Sequence, residues 1–193
     1  MNQEELNGIM KRHKAWLECK FGGERAELGG ADLHHARLQD ADLQGAILRN
    51  SILEDSDLQG AILRKSDLRY SDLRQSDLQS AILEDSELQG ADLRGALLQH
   101  SNLRGAGLRH CDLRGADLDY ASWPLWCGSL NAYVDDRIAI QLLYHTLSVV
   151  QNSPYVSEDV KKALLSAENV RIANRFHRIG ECREIKEWEK GTK

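Results

Sequence analysis

Between residues 26 and 120 the apolar positions of the chain repeat every five residues. Leucine falls at each fifth position from Leu28 to Leu118, nineteen times without a gap. Two residues before it stands Ala, Ser or, once, Cys111, and just before it most often Asp. The two positions after it are polar, charged or glycine, apart from Tyr70 and Tyr120. A helix does not suit this pattern. Five residues at about 100° each leave about 140° of drift per leucine, which spreads the leucines over every side. Glycines at unit ends, such as Gly90 and Gly115, oppose a helix as well, at roughly 1 kcal/mol each. A long strand fails because an odd period turns alternate leucines to opposite faces. The pattern predicts a short extended piece followed by a bend. The small residue and the leucine, two apart, point inward, and the last two residues of the unit form the turn.

Units such as ADLQG, SDLRY, ADLRG and CDLRG resemble the pentapeptide-repeat family over residues 26–120. The resemblance implies a mainly β fold: a right-handed, four-sided (quadrilateral) parallel β-helix solenoid, with four units to each coil. Coils stacked at about 4.8 Å make the nineteen units a rod of almost five coils, roughly 23 Å long. The leucines then line four inner walls. The first wall has Leu28, Leu48, Leu68, Leu88 and Leu108, and the second Leu33, Leu53, Leu73, Leu93 and Leu113. The third has Leu38, Leu58, Leu78, Leu98 and Leu118, and the fourth Leu43, Leu63, Leu83 and Leu103.

Stacked coils need atypical ends to cover their open edges. Residues 3–20 place Leu6, Ile9, Met10, Trp16 and Leu17 at near-helical spacing, and Gly22 and Gly23 follow as a stop. Residues 1–25 are therefore expected to form an N-terminal capping helix. The stretch HKAWLECKFGGERAEL also resembles the lead-in of many pentapeptide-repeat proteins. At the far end Trp123 stands where a leucine is due, and Pro124 lacks the N–H that a ladder needs. The repeat domain is thus expected over 26–123. Residues 124–193 read as a C-terminal helical cap with surface for a homodimer. Ile138, Leu142, His145 and Val149, with Ile140, Leu143, Leu147 and Val150, predict one helix over 135–151, which Pro154 ends. Ser157 is the expected N-cap of a second helical stretch with Val160, Leu164, Ala167 and Val170. Ile172, Phe176 and Ile179 continue it to Gly180, and Ile185 and Trp188 in the tail are candidate docking residues.

Composition narrows the classes of function. The 193 residues carry a net charge of −5 and no run of about twenty apolar residues, so no membrane span is expected. The N-terminus is charged and amphipathic, unlike a signal peptide. Cys19, Cys111, Cys127 and Cys182 are far apart with no paired spacing, which points to reduced thiols and a cytoplasmic location. No basic stripe exists for direct nucleic-acid binding. Chemistry-bearing side chains are explained by the repeat. His34 and His35 face outward, His100 and His110 fall on opposite sides, His145 lies in an apolar helix and His177 follows Phe176. No metal site is expected from them. Serines such as Ser66 and Ser71 point inward without a base, and no phosphate-binding loop or nucleophile elbow occurs. Neither catalysis nor a cofactor is expected.

The outer surface holds more. On the second side Asp72, Asp92 and Asp112 would stack in a column beside Arg74, Arg94 and Arg114. On the third side Gln39, Gln59, Gln79 and Gln99 would form an amide ladder. Beside it run Asp57 and Asp77, then Asp117 and Asp119, with Arg37 the only base. Residues 26–120 contain seventeen acids and ten bases, and the net charge of −7 divides as −3 on the second side and −4 on the third. Two readings follow. One is a structural and protein-interaction scaffold with an unidentified partner. The other comes from the resemblance, since some pentapeptide-repeat proteins resemble double-stranded DNA and occupy the DNA site of DNA gyrase. The acidic sides would then replace phosphates, and the C-terminal helices would supply a dimer.

Overall fold

A computed structural model describes residues 1–122 and 132–174 of the chain. Trp123, Pro124, Cys127, Phe176, His177, Ile179, Gly180, Cys182, Ile185 and Trp188 lie outside the described residues. The chain divides into two compact units, Met1–Val134 and Asp135–Lys193. That division falls later than the repeat boundary expected at residue 123.

The first unit is built from stacked coils. Among the described residues, parallel β-bridges join positions twenty apart, as in Glu27 with Ile47, Asp57 with Asp77 and Asn102 with Ser122. Four five-residue units therefore make one coil. Pairing is confined to a single residue of each unit, so the extended pieces are too short to be strands in their own right. A typical step has the Leu68 N–H donating to Glu87 O at 2.8 Å and the Glu87 N–H donating to Ser66 O at 2.9 Å. The bend is a four-residue turn closed by the Ser71 N–H on Leu68 O at 3.2 Å. Its third residue takes the left-handed conformation, with φ 59° at Tyr70 and 70° at Gly90. That conformation disfavours β-branched residues, and none occupies a unit-final position.

All nineteen repeat leucines are buried, most of them completely. Between them sit the small residues, among them Ala46, Ala61, Ser66 and Ser76, also fully buried. Each buried hydroxyl needs a partner. Ser51, Ser56, Ser66, Ser71, Ser76 and Ser86 find one by donating to the carbonyl three residues back, at 2.6–2.7 Å.

Helix α1 (Gln3–Leu17) closes the N-terminal edge. It starts with a capping box in which Asn2 and Glu5 each accept the other's backbone N–H. The first coil leaves the N–H and C=O of Arg37 with no preceding coil to pair with. The Gln3 side-chain amide supplies both partners, accepting from the Arg37 N–H at 3.0 Å and donating to Arg37 O at 3.1 Å. The Met1 ammonium caps Asp32 O at 2.7 Å. His13 is fully buried beneath the helix, where its Nδ1 accepts from the Ala26 N–H at 3.1 Å and its ring stacks on Trp16. Gly23 is fixed by close approach, since a Cβ there would sit 2.4 Å from the Trp16 nitrogen.

Beyond the last repeat unit, one further rung joins the stack. After residues 123–131 the chain returns to the second column, and Tyr133 pairs with Asp112, twenty-one residues away. The Tyr133 N–H donates to Cys111 O at 2.7 Å and Tyr133 O accepts from the Leu113 N–H at 2.8 Å.

The second unit contains α2 (Asp136–Asn152), α3 (Glu158–Leu164) and α4 (Ala167–Ala173). Tyr144, Leu147, Val150, Leu165, Val170 and Ala173 form its core. The second helical stretch expected after Ser157 is broken at Leu165 and Ser166. There the Ser166 side chain accepts from the Asn169 N–H and starts α4 as an N-cap.

Candidate functional site

The position before each leucine carries most of the surface acids, and the turn explains them. One carboxylate oxygen accepts the backbone N–H two residues on: Asp57 from Gln59, Asp67 from Arg69, Asp72 from Arg74 and Asp77 from Gln79. Asp92 and Asp112 do the same for Arg94 and Arg114. This side-chain turn fixes the bend and leaves the second oxygen to the surface.

On the second side that second oxygen is taken. Arg74 holds Asp72 with two bonds, Nε to Oδ1 at 2.8 Å and Nη2 to Oδ2 at 2.7 Å. It also reaches Glu54 on the preceding coil at 2.9 Å. Arg94 holds Asp92 in the same way and lies 3.8 Å from Asp112, which Arg114 holds in turn. The guanidinium bonds pull the Asp72 and Asp112 carboxyls below the usual carboxylate range and push the arginines up. Asp67 is held down by Arg69 likewise. Asp72, Asp92 and Asp112 thus stack with Arg74, Arg94 and Arg114 as a continuous ion-pair ladder.

The third side differs. Asp57, Asp77 and Asp117 are partly buried, and among the described residues the bonds to Asp57 and Asp77 come from backbone and side-chain amides instead of guanidinium groups. Gln39 donates to Gln59 at 3.2 Å, the first step of the expected amide ladder. Higher up the ladder changes partner, with Gln79 donating to Asp77 and Gln99 to Asp117 at 2.8 Å. Asp119 departs from the expectation of a surface acid. It is buried, at 4% exposure, so it takes no place on the acidic surface. Cys111 fills an inner corner, where burial pushes its thiol up to about 12, an unreactive value.

The coil of four units, the leucine core and the left-handed corner are all tied to one five-residue motif, and that motif is diagnostic. Pentapeptide repeats match residues 26–64, 53–85 and 86–122, in 8 copies. The chain belongs to the pentapeptide-repeat family. Its first unit is a repeat β-helix solenoid. A pentapeptide-repeat protein from the Arabidopsis thaliana thylakoid lumen is similar at 20% identity and a TM-score of 0.51, over 69% of this chain and 84% of that one. Rfr23, a pentapeptide-repeat protein from the cyanobacterium Cyanothece 51142, is 37% identical over 49% of this chain and 60% of its own, with a TM-score of 0.44. This chain thus spans less than two thirds of Rfr23. QnrB1, a plasmid-mediated fluoroquinolone resistance protein, is 16% identical over 60% of this chain and 65% of its own, with a TM-score of 0.34. No curated protein matches the chain. Among the described residues no helix is long and apolar enough to cross a membrane.

Proposed function

We propose that this pentapeptide-repeat chain is a non-catalytic, cytoplasmic interaction scaffold, a right-handed, four-sided rod that offers its third side to a basic surface on a protein partner. The observation that carries this reading is the contrast between the two acidic sides. The second side neutralises its carboxylates with Arg74, Arg94 and Arg114, whereas among the described residues Asp57 and Asp77 are bonded by backbone and the Gln79 amide. The third side carries five acids and one base, Arg37, counting the buried Asp119. Rigid coils hold these groups at fixed spacing, so little side-chain freedom is lost on binding. The committed serine hydroxyls and the unreactive Cys111 thiol support a role without catalysis. In this reading the C-terminal helices serve as a cap and a homodimer contact.

The test compares immobilised wild-type chain with Asp57→Lys/Asp77→Lys in an extract of the cells that make it. A partner retained by the wild type and lost by the variant, at equal melting temperature, is the expected result. Identical retention would remove the third side from the contact.

The same acids favour a second reading, in which they take the place of DNA phosphates on DNA gyrase. Supercoiling by purified gyrase, titrated with the protein, separates the two. The scaffold reading expects no inhibition at tens of micromolar. Inhibition that disappears in Asp57→Lys/Asp77→Lys would replace it with DNA mimicry.

A further inference from the structure

The first two coils carry a cluster of metal-ligating side chains that the interaction surface does not use. Stacking twenty residues apart sets His34 beside Glu54 and His35 beside Asp55, at the corner of the second side. The His35 N–H donates to Glu54 O at 3.2 Å, which holds the two coils in register there. Both His35 and Asp55 take the left-handed turn conformation, with φ 55° each, so their side chains leave the same corner of successive coils. The two imidazoles meet edge to face at 4.4 Å between centroids. The His34 ring lies between two carboxylates, with Nδ1 4.0 Å from Glu54 and Nε2 4.0 Å from Asp55. One donor atom from each of His34, His35 and Asp55 falls within 4.8 Å of the others, and no other such trio occurs among the described residues.

We propose that His34, His35 and Asp55 bind a divalent transition-metal ion of the zinc class, clamping the first coil to the second. Two imidazole nitrogens and a carboxylate oxygen suit Zn²⁺, Co²⁺ or Ni²⁺, whereas Mg²⁺ and Ca²⁺ call for all-oxygen sites. Ligands around tetrahedral zinc stand about 3.4 Å apart at bond lengths of about 2.1 Å. The three side chains are exposed, which leaves their rotamers free to adjust toward a shared ion. Glu54, tethered by Arg74 at 2.9 Å, is placed to accept a hydrogen bond from a coordinating imidazole or to become the fourth ligand. Adjacent histidines on an outward turn suggest two isolated surface groups when read along the sequence. The trio becomes visible only when Asp55 is brought beneath them by the coil.

The experiment is calorimetric titration of the full chain with ZnCl₂, comparing wild type, His34→Ala/His35→Ala and Asp55→Asn, each checked for folding by circular dichroism. The cysteines are unchanged in all three, so thiol binding cancels in the comparison. The wild type is expected to take up one equivalent that the double variant does not. Asp55→Asn should weaken that equivalent by at least about tenfold. Zinc should raise the melting temperature of the wild type and leave that of the double variant unmoved, because only the former has its coils bridged. Equal stoichiometry and affinity in wild type and double variant would overturn the site, as would absence of binding to the wild type at millimolar zinc. Unchanged affinity in Asp55→Asn would overturn the three-ligand assignment.

Discussion

Four residues of the five-residue unit each have one structural duty. The leucine fills the interior, the small residue lets the wall turn, and the aspartate bonds the backbone two residues on. The last residue accepts a left-handed φ. Leu73 illustrates the cost of breaking the set. It is fully buried, and the next coils hold Leu53 and Leu93 in the same column. Leu73→Ala should therefore destabilise the protein by about 2–5 kcal/mol, since stacked coils limit collapse around the cavity. Chemical denaturation measures this, and a loss below about 1 kcal/mol would argue against close packing at that position. The leucine and small-residue assignments were legible because period five excludes both regular helix and strand. The ion-pair ladder was legible as columns but not as bonds. Whether Arg74 holds Asp72 depends on rotamers that spacing does not define. Asp119 misled because it follows the leucine, where other units expose a polar residue, yet here it is buried.

At the scale of elements, α1 acts as a substitute coil. Its Gln3 amide and His13 ring take hydrogen-bonding roles that a preceding coil's backbone would otherwise fill. His13 makes that cap sensitive to acid. Burial pulls its pKa below the ordinary 6.5, with Asp42 opposing and Arg25 reinforcing the shift. The folded state therefore resists protonation more than the unfolded chain does. This contribution is complete above about pH 6.5 and drains away as pH falls below it. Protonation also removes the lone pair that accepts the Ala26 N–H. Melting curves at about pH 7.5 and about pH 5.5 should show a drop in the wild type that is clearly smaller in His13→Asn, which retains an acceptor without the titration. Equal drops would show that His13 does not carry the effect. The helix itself was legible from Leu6, Ile9 and Trp16, whereas the capping box of Asn2 and Glu5 that starts it emerged only with the structure. Nothing local announces that Gln3 would pair with residue 37. Nor does apolar spacing reveal the break at Ser166, where the backbone turns extended and a new helix starts from an N-cap.

For the whole molecule, the far edge of the repeat unit is closed differently from the near one. Ala132–Val134 returns as one more rung against Cys111 and Leu113, after a stretch that lacks the repeat motif. No leucine marks this rung, so sequence period could not place it. A chain cut after Val134 keeps the rung, and one cut after Ser122 loses it. The shorter chain should melt lower and associate in light scattering, as its last coil presents unpaired peptide groups. Equal melting and monodispersity in both would show that the rung contributes nothing to the edge.

The Gln3 amide has a further consequence. Every coil of the repeat unit has the same spacing of backbone donors and acceptors as the next, so one stack of coils is a ready template for another. Two molecules meeting end to end would match in register and grow into a fibre, with nothing in the repeat itself to stop them. A single carboxamide seated on Arg37 occupies that docking point on the N-terminal end. With the Met1 ammonium on Asp32 and the His13 ring on Ala26, it works as a chain terminator against end-to-end growth at that edge.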